Sequence, residues 1–266
     1  MISRRALLTG TAVLGLIALP RLGWLDPYGV DLDALLRPPA LAHPFGTDQA
    51  GRDVLARLVV GAAGTLGVGL LGATLAVAIG ILLGSLAGLA GGRVDTLVMR
   101  AVDGMLAFPT LFVILIAAAL FPPGAGPLVL VLGFTGWMEV ARLTRARVQE
   151  GLATPFVEAA RAVGATPARI ATRHLLPYSA SVLGVAWLVQ FSRAILAEAT
   201  VSFLGFGIAP PTPTWGNLLV GAQHYVYTAP WLAVAPGVAI TTTLLWLHTL
   251  GGGLAPGWPR RRREQR

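Results

Sequence analysis

The apolar positions of this chain gather into six long runs separated by shorter polar connections. Thr65 to Leu89 and Pro230 to Leu254 are each 25 residues long, the first without a charge and the second with His248 as its only titratable group. A helix needs about 20 mostly apolar residues to cross a hydrocarbon layer of about 30 Å, so both runs predict spanning helices. Met105 to Phe121 is a third uncharged run, 17 residues long. It predicts a helix that starts a turn or two earlier, near Val98, and bends at Pro109, whose ring removes a helix donor. Pro127 to Met138 reaches spanning length only if its helix continues through Glu139 and Arg142. Tyr178 to Phe206 is long enough but contains Arg193 and Glu198, and Ala6 to Pro20, behind Arg4 and Arg5, is the shortest run. The pattern predicts an all-α polytopic membrane bundle of about six transmembrane helices. An anchor and extracytoplasmic segment would occupy 1–64, the transmembrane core 65–254 with a polar loop at 148–177, and a basic tail 255–266.

Composition agrees. Only 12% of the residues are charged, against roughly 25% in a soluble domain, too few to cover a water-exposed surface. All 20 basic residues are arginine. Without lysine the chain can build neither a nucleotide-binding P-loop nor a Schiff base, and without cysteine it has no thiolate metal site.

The net charge of +8 finds its explanation in where the arginines sit. If the N-terminus is inside, 15 of the 20 fall on the inner side, among them Arg142, Arg145, Arg147, Arg161, Arg169, Arg173 and the tail from Arg260 to Arg266. Four, Arg21, Arg37, Arg52 and Arg57, fall outside, and Arg193 is intramembrane. Loops kept in the cytoplasm carry the excess of positive charge, which places both termini inside. The tail then anchors a helix end beside anionic membrane lipid, and no nucleic acid is needed to account for the charge.

Two local patterns say more. In the second run Gly72, Ala76, Gly80, Gly84 and Gly88 recur every four residues, a stripe that lets a neighbouring backbone come close. Between the fourth and fifth runs lies TPFVEAARAVGATPARIATRHLLP, Thr154 to Pro177. Thr154 predicts a helix cap with Pro155 at the first helical position, Glu158 suits the helix dipole, and Gly164 supplies a left-handed stop. Thr166 and Pro167 repeat the cap and start, and Pro177 should end the second helix. Phe156, Ala160 and Val163 share one face, and Glu158 and Arg161 another. The expected product is a small helical hairpin outside the bilayer; a plain connection would need only a few residues.

The spacing Glu158-Ala159-Ala160, then Gly164, then His174-Leu175-Leu176-Pro177 resembles the EAA loop of binding-protein-dependent ABC importer permeases. Further blocks resemble the dipeptide, oligopeptide and nickel subfamily. They are His43-Pro44-Phe45-Gly46-Thr47-Asp48 with Gly51-Arg52-Asp53, Asp103 through Phe108-Pro109, Ala197-Glu198-Ala199 leading to Ser202-Phe203-Leu204-Gly205, and Pro210-Pro211-Thr212-Pro213-Thr214-Trp215-Gly216. The resemblance implies a type I ABC importer-like permease fold in the bacterial cytoplasmic membrane, and peptide as cargo with nickel as the alternative. It implies as partners a second homologous permease subunit, two cytoplasmic ABC ATPases that carry the ATP and Mg, and an extracytoplasmic solute-binding protein. The chain itself would be no enzyme and hold no cofactor. Glu158, Ala159, Ala160, Arg161, Gly164, His174, Leu176 and Pro177 would form the ATPase-coupling loop.

Ser3-Arg4-Arg5-Ala6-Leu7-Leu8 is similar to a twin-arginine signal, but no small-x-small cleavage site follows, so it reads as an uncleaved anchor. Charged residues at membrane depth usually face a bundle interior or a watery path. Arg193 and Glu198, about 140° apart around a helix, should not pair; they are candidates for the translocation path or its gate, or else for fixing a neighbouring helix. His43, His174, His224 and His248 are too dispersed for a metal site, and Pro210 to Trp215 reads as a stiff external turn with Trp215 at the membrane interface. An intramembrane enzyme would need a nucleophile with a base or paired acids at depth, and a channel would not need the capped loop.

Overall fold

A computed structural model describes residues 26–254. The predicted first span, Ala6 to Pro20, and the basic tail lie outside the described residues. Helix α1 (Val54–Ala90) begins eleven residues before the predicted Thr65. Two contacts let it do so. The Asp53 carboxylate caps it by accepting the Ala56 N–H at 2.8 Å, and Arg57, which would otherwise end an apolar run, is buried against Asp48 at 2.8 Å.

The next span departs from expectation. Instead of one bent helix from near Val98, α2 (Gly92–Leu106) and α3 (Thr110–Ala119) meet at 84°. Pro109 cannot donate and keeps Phe108 out of the helical region, so the chain breaks there rather than bends. At ten residues, about 15 Å, α3 is too short to cross a bilayer by itself.

Helix α4 (Ala125–Leu152) runs through Glu139 and Arg142 as required. It is followed by α5 (Pro155–Ala162) and α6 (Pro167–Ile170). A π turn over Ala171–Leu175 then leads without interruption into α7 (Leu176–Phe203). Pro177 therefore does not end a helix. The Leu176 N–H reaches back five residues to the Ala171 carbonyl, and this wide turn opens the ladder where the proline ring would strike the carbonyl four residues before it. What was expected as a hairpin is one short helix turned back onto the root of a long one. Helices α8 (Trp215–Leu218) and α9 (Trp231–Leu254) complete the described residues. Among the described residues four helices are long and apolar enough to span, or five with the α2–α3 pair.

The bundle is organised around α1 and α4. The predicted small-residue stripe is where they meet. A Cβ on Gly72 would come 2.9 Å from the Leu132 Cβ, on Gly80 2.6 Å from the Val140 Cβ, and on Gly88 2.7 Å from the Val148 Cγ1. Leu132, Val140 and Val148 repeat on the same four-residue ridge, so ridge enters groove along the whole contact. Helices α7 and α9 pack on this pair through Phe191, Ile195, Ile240 and Leu247.

Trp215 does not sit at a membrane interface. It is 4% exposed, and its indole N–H donates to the Leu58 carbonyl at 2.9 Å. A reciprocal cap between Thr214 and Asn217 turns the segment inward, and Gly61 and Gly64 on α1 leave room for Thr214 to lie against the helix.

Candidate functional site

Two separate places gather the residues singled out in the sequence. The first is at the Ala90 end of α1. Thr154 takes the extended capping conformation with Pro155 behind it, but its hydroxyl donates back to the Gly151 carbonyl instead of capping α5. Gly164 has φ +81 in the left-handed region, which an L side chain adopts at a cost, and Thr166 caps the next helix by accepting the Arg169 N–H. Gly164 and Thr166 thus play their predicted parts, while the Thr154 side chain does not.

The face that α5 buries differs from the one expected. Val157 and Ala160 are buried, and Val157 joins Val148, Ile170 and Leu175, with Leu89 and Leu152 alongside. Val163 is 85% exposed and Phe156 41%. The reason is length. An eight-residue helix closed by Gly164 can seat only one i, i+3 pair on the bundle, and Val163 falls past its end at the cap. Phe156 instead leans along the root of α7, its ring 5.8 Å from that of Tyr178 and 6.3 Å from that of His174. Tyr178 donates to Glu150 at 3.2 Å, and the Arg147 guanidinium stands 5.9 Å from the Tyr178 ring centre. Leu176 is half-buried, and Pro177 is exposed. Glu158, Ala159, Arg161, Ala162 and Val163 all point away from the bundle. The result is a short helix riveted on one side and bare on the other, its bare side formed of two alanines and a valine beside an acid and a base.

The second place is mid-bundle. A cavity of about 80 Å³ lies between α1, α3, α4 and α7, lined by Thr135, Glu139, Gln190 and Arg193 among small residues. Arg193 forms an ion pair with Glu139 on α4, a partner the sequence reading missed. Two more cross-helix pairs follow toward the α5 end, Arg142 with Asp103 and Arg145 with Asp95, both acids on α2. Glu139, Arg142 and Arg145 recur every three residues where the apolar first half of α4 gives way to its charged end. That recurrence is the available signal, because each charge at such depth needs a partner.

Glu198 is not among the residues lining this cavity. It is fully buried, accepts the Ser202 hydroxyl at 2.7 Å, and has the Thr65 and Thr214 side chains beside it. Its Oε2 has no hydrogen-bond partner. Arg193 and Glu198 therefore serve different surroundings and do not pair. Among the described residues no three of His, Cys, Asp or Glu come together to hold a metal; His43 is engaged with Asp53 at 2.9 Å.

Three comparisons bear on this geometry. The family described as binding-protein-dependent transport system inner membrane component matches residues 80–256. A Brucella suis biovar 1 protein named as a peptide transport system permease is 35% identical over 259 residues, covering 96% of this chain and 87% of its own. The di/tripeptide transport system permease protein DppC of Pseudomonas aeruginosa is 37% identical over 240 residues, covering 87% and 79%. In three dimensions a chain of the MetNI methionine ABC transporter, solved in an inward-facing conformation, superposes with a TM-score of 0.61 at 19% identity, over 74% of this chain and 94% of that one. At that identity the likeness speaks for the fold.

Proposed function

The chain belongs to the family of inner membrane components of binding-protein-dependent transport systems, and from that premise we propose that it is a peptide-importing permease subunit of an ABC transporter. The multi-pass bundle sits in the bacterial inner membrane. Peptide as cargo rests on relatives at 35% and 37% identity that are named for peptide transport. The observation that carries the coupling role is the two-sided α5, with Val157 and Ala160 seated on the ends of α1, α4 and α7 while Ala159, Ala162 and Val163 face away. A bare face of small side chains lets a second protein approach the helix backbone closely. The anchored face carries that protein's displacement straight into the long helices.

In this reading the α5 end and both termini are cytoplasmic, and two ABC ATPases, which bind the ATP and Mg, grip α5. A solute-binding protein delivers cargo at the Val54 end, and a second homologous permease completes the path. The loop residues Glu158, Ala159, Ala160, Arg161, Gly164, His174, Leu176 and Pro177 belong to the coupling element, and Arg193 to the path wall. Glu198 holds the Thr214 segment to α1 and α7. The cavity beside Arg193 is about 80 Å³, well below the roughly 300 Å³ of even small ligand sites, while an open groove of about 360 Å³ runs past Glu139 and Gln190; in this reading a second subunit closes that open side into a path.

The test is co-purification of the detergent-solubilised chain with its ATPases. Ala159→Arg and Val163→Asp should each abolish it while membrane insertion stays normal. Reporter fusions placing residues 155–177 on the periplasmic side would refute the assignment, since no ATPase could reach them.

A further inference from the structure

The Glu139–Arg193 pair sits where an ion pair is hard to place. Glu139 lies near the midpoint of α4, about 20 Å from either end, and Arg193 about 15 Å from the nearer end of α7. Both side chains are nonetheless half exposed, 53% and 54%. Charged groups at that depth do not face hydrocarbon, so this side of the bundle borders water or a polar partner. The Arg193 guanidinium has five N–H groups and commits Nη1 to Glu139, which leaves donors toward the cavity. Gly72, Ala76, Gly136 and Ala194 keep the space beside the pair open, and Thr135 and Gln190 add polar lining.

We propose that this pair receives the two ionised ends of a peptide in transit, Arg193 taking the carboxylate and Glu139 the ammonium. The inference rests on the importer reading above and gives it a contact site. The chemistry is an exchange of partners. An empty site is neutral because the two side chains satisfy each other; a zwitterion inserted between them replaces one ion pair by two and leaves the net charge at zero. No isolated charge is ever desolvated, which is the costly event at such depth. A guanidinium facing a carboxylate also offers the bidentate geometry that makes charge-assisted hydrogen bonds strong.

The chain has no cysteine, so Ala197→Cys places one reporter thiol on this subunit at the cavity wall. In the reconstituted complex with its partner permease and ATPases, a water-soluble methanethiosulfonate should modify that thiol, read as added mass on this subunit. Millimolar L-alanyl-L-alanine should slow the modification several-fold, whereas its C-terminal amide and its N-acetyl form should not. Adding Arg193→Gln should abolish the slowing by L-alanyl-L-alanine. The double variant Glu139→Gln/Arg193→Gln keeps an uncharged hydrogen-bonded brace; its thermal midpoint should stay near that of the parent while protection is still lost. A thiol that never reacts, or protection that persists in either variant, overturns the inference. Loss of ATPase co-purification or of cargo-stimulated ATP hydrolysis in the unmutated complex would instead remove the importer reading itself.

Discussion

The two ends of α1 are built on opposite principles. At the Val54 end polar groups are locked by several partners at once. Asp48 accepts from the Ala50 and Arg52 N–H groups and from both the Arg52 and Arg57 guanidinium groups, the Trp231 indole donates to the Thr47 carbonyl, and Trp215 is pinned to Leu58 and Thr65. At the Ala90 end α5 rests through Val157 on an apolar patch of three buried side chains, Val148, Ile170 and Leu175. Directional bonds resist sliding because each lost partner leaves a buried polar group unsatisfied; apolar contacts are non-directional and tolerate small shifts. One end is fastened and the other is seated.

That contrast can be broken in order of effect. Asp48→Ala strands a buried Arg57 and should cost about 3–5 kcal/mol, read as loss of folded protein or a large fall in the thermal midpoint in detergent. Should the midpoint hold, the Val54 end is not fastened by charge. Gly80→Val forces apart the α1–α4 seam that joins the two ends, about 1–3 kcal/mol by overpacking; thermal unfolding checks it, and Gly67→Val, where an added Cβ meets nothing within 4 Å, should change little.

At the seated end the expected losses are functional. Gly164→Val meets no atom within 4 Å but must adopt φ +81, a strain of about 1–2 kcal/mol. Membrane insertion should be normal, yet ATP hydrolysis should no longer drive peptide uptake in proteoliposomes; full uptake would detach the turn from coupling. Smallest of all, Glu150→Gln weakens two exposed contacts, to Tyr178 and Arg147, and should shift stability by under about 0.5 kcal/mol, within the error of the same unfolding assay.

What the sequence made legible was local. A stripe repeating every four residues, a glycine after a capped helix and a second Thr-Pro start each depend on neighbours a turn away, and Gly72 to Gly88, Gly164 and Thr166 all fold as written. What escaped needed partners distant in the chain. Glu139 and Arg193 are 54 residues apart, and Trp215 turns inward because Leu58 and Thr65, about 150 residues earlier, accept its donors. Pro177 misled for a different reason. A proline ends an α-helix only if the turn before it is α-helical, and here that turn is π. On α5 the periodicity was legible, but not which of two adjacent apolar faces would find a surface.

Helix α1 has 37 residues and no proline, which makes it a strut about 55 Å long, well beyond the thickness of the oily layer it crosses. Stiffened along its flank by α4 and free of the proline that most often kinks a helix, it is built to move as a whole beam. Rocking by about 10° around its centre would carry each tip about 5 Å, in opposite senses. In the proposed coupling, a push on the seated helix would arrive at the far side of the membrane as a displacement of comparable size, with no relay of side chains in between.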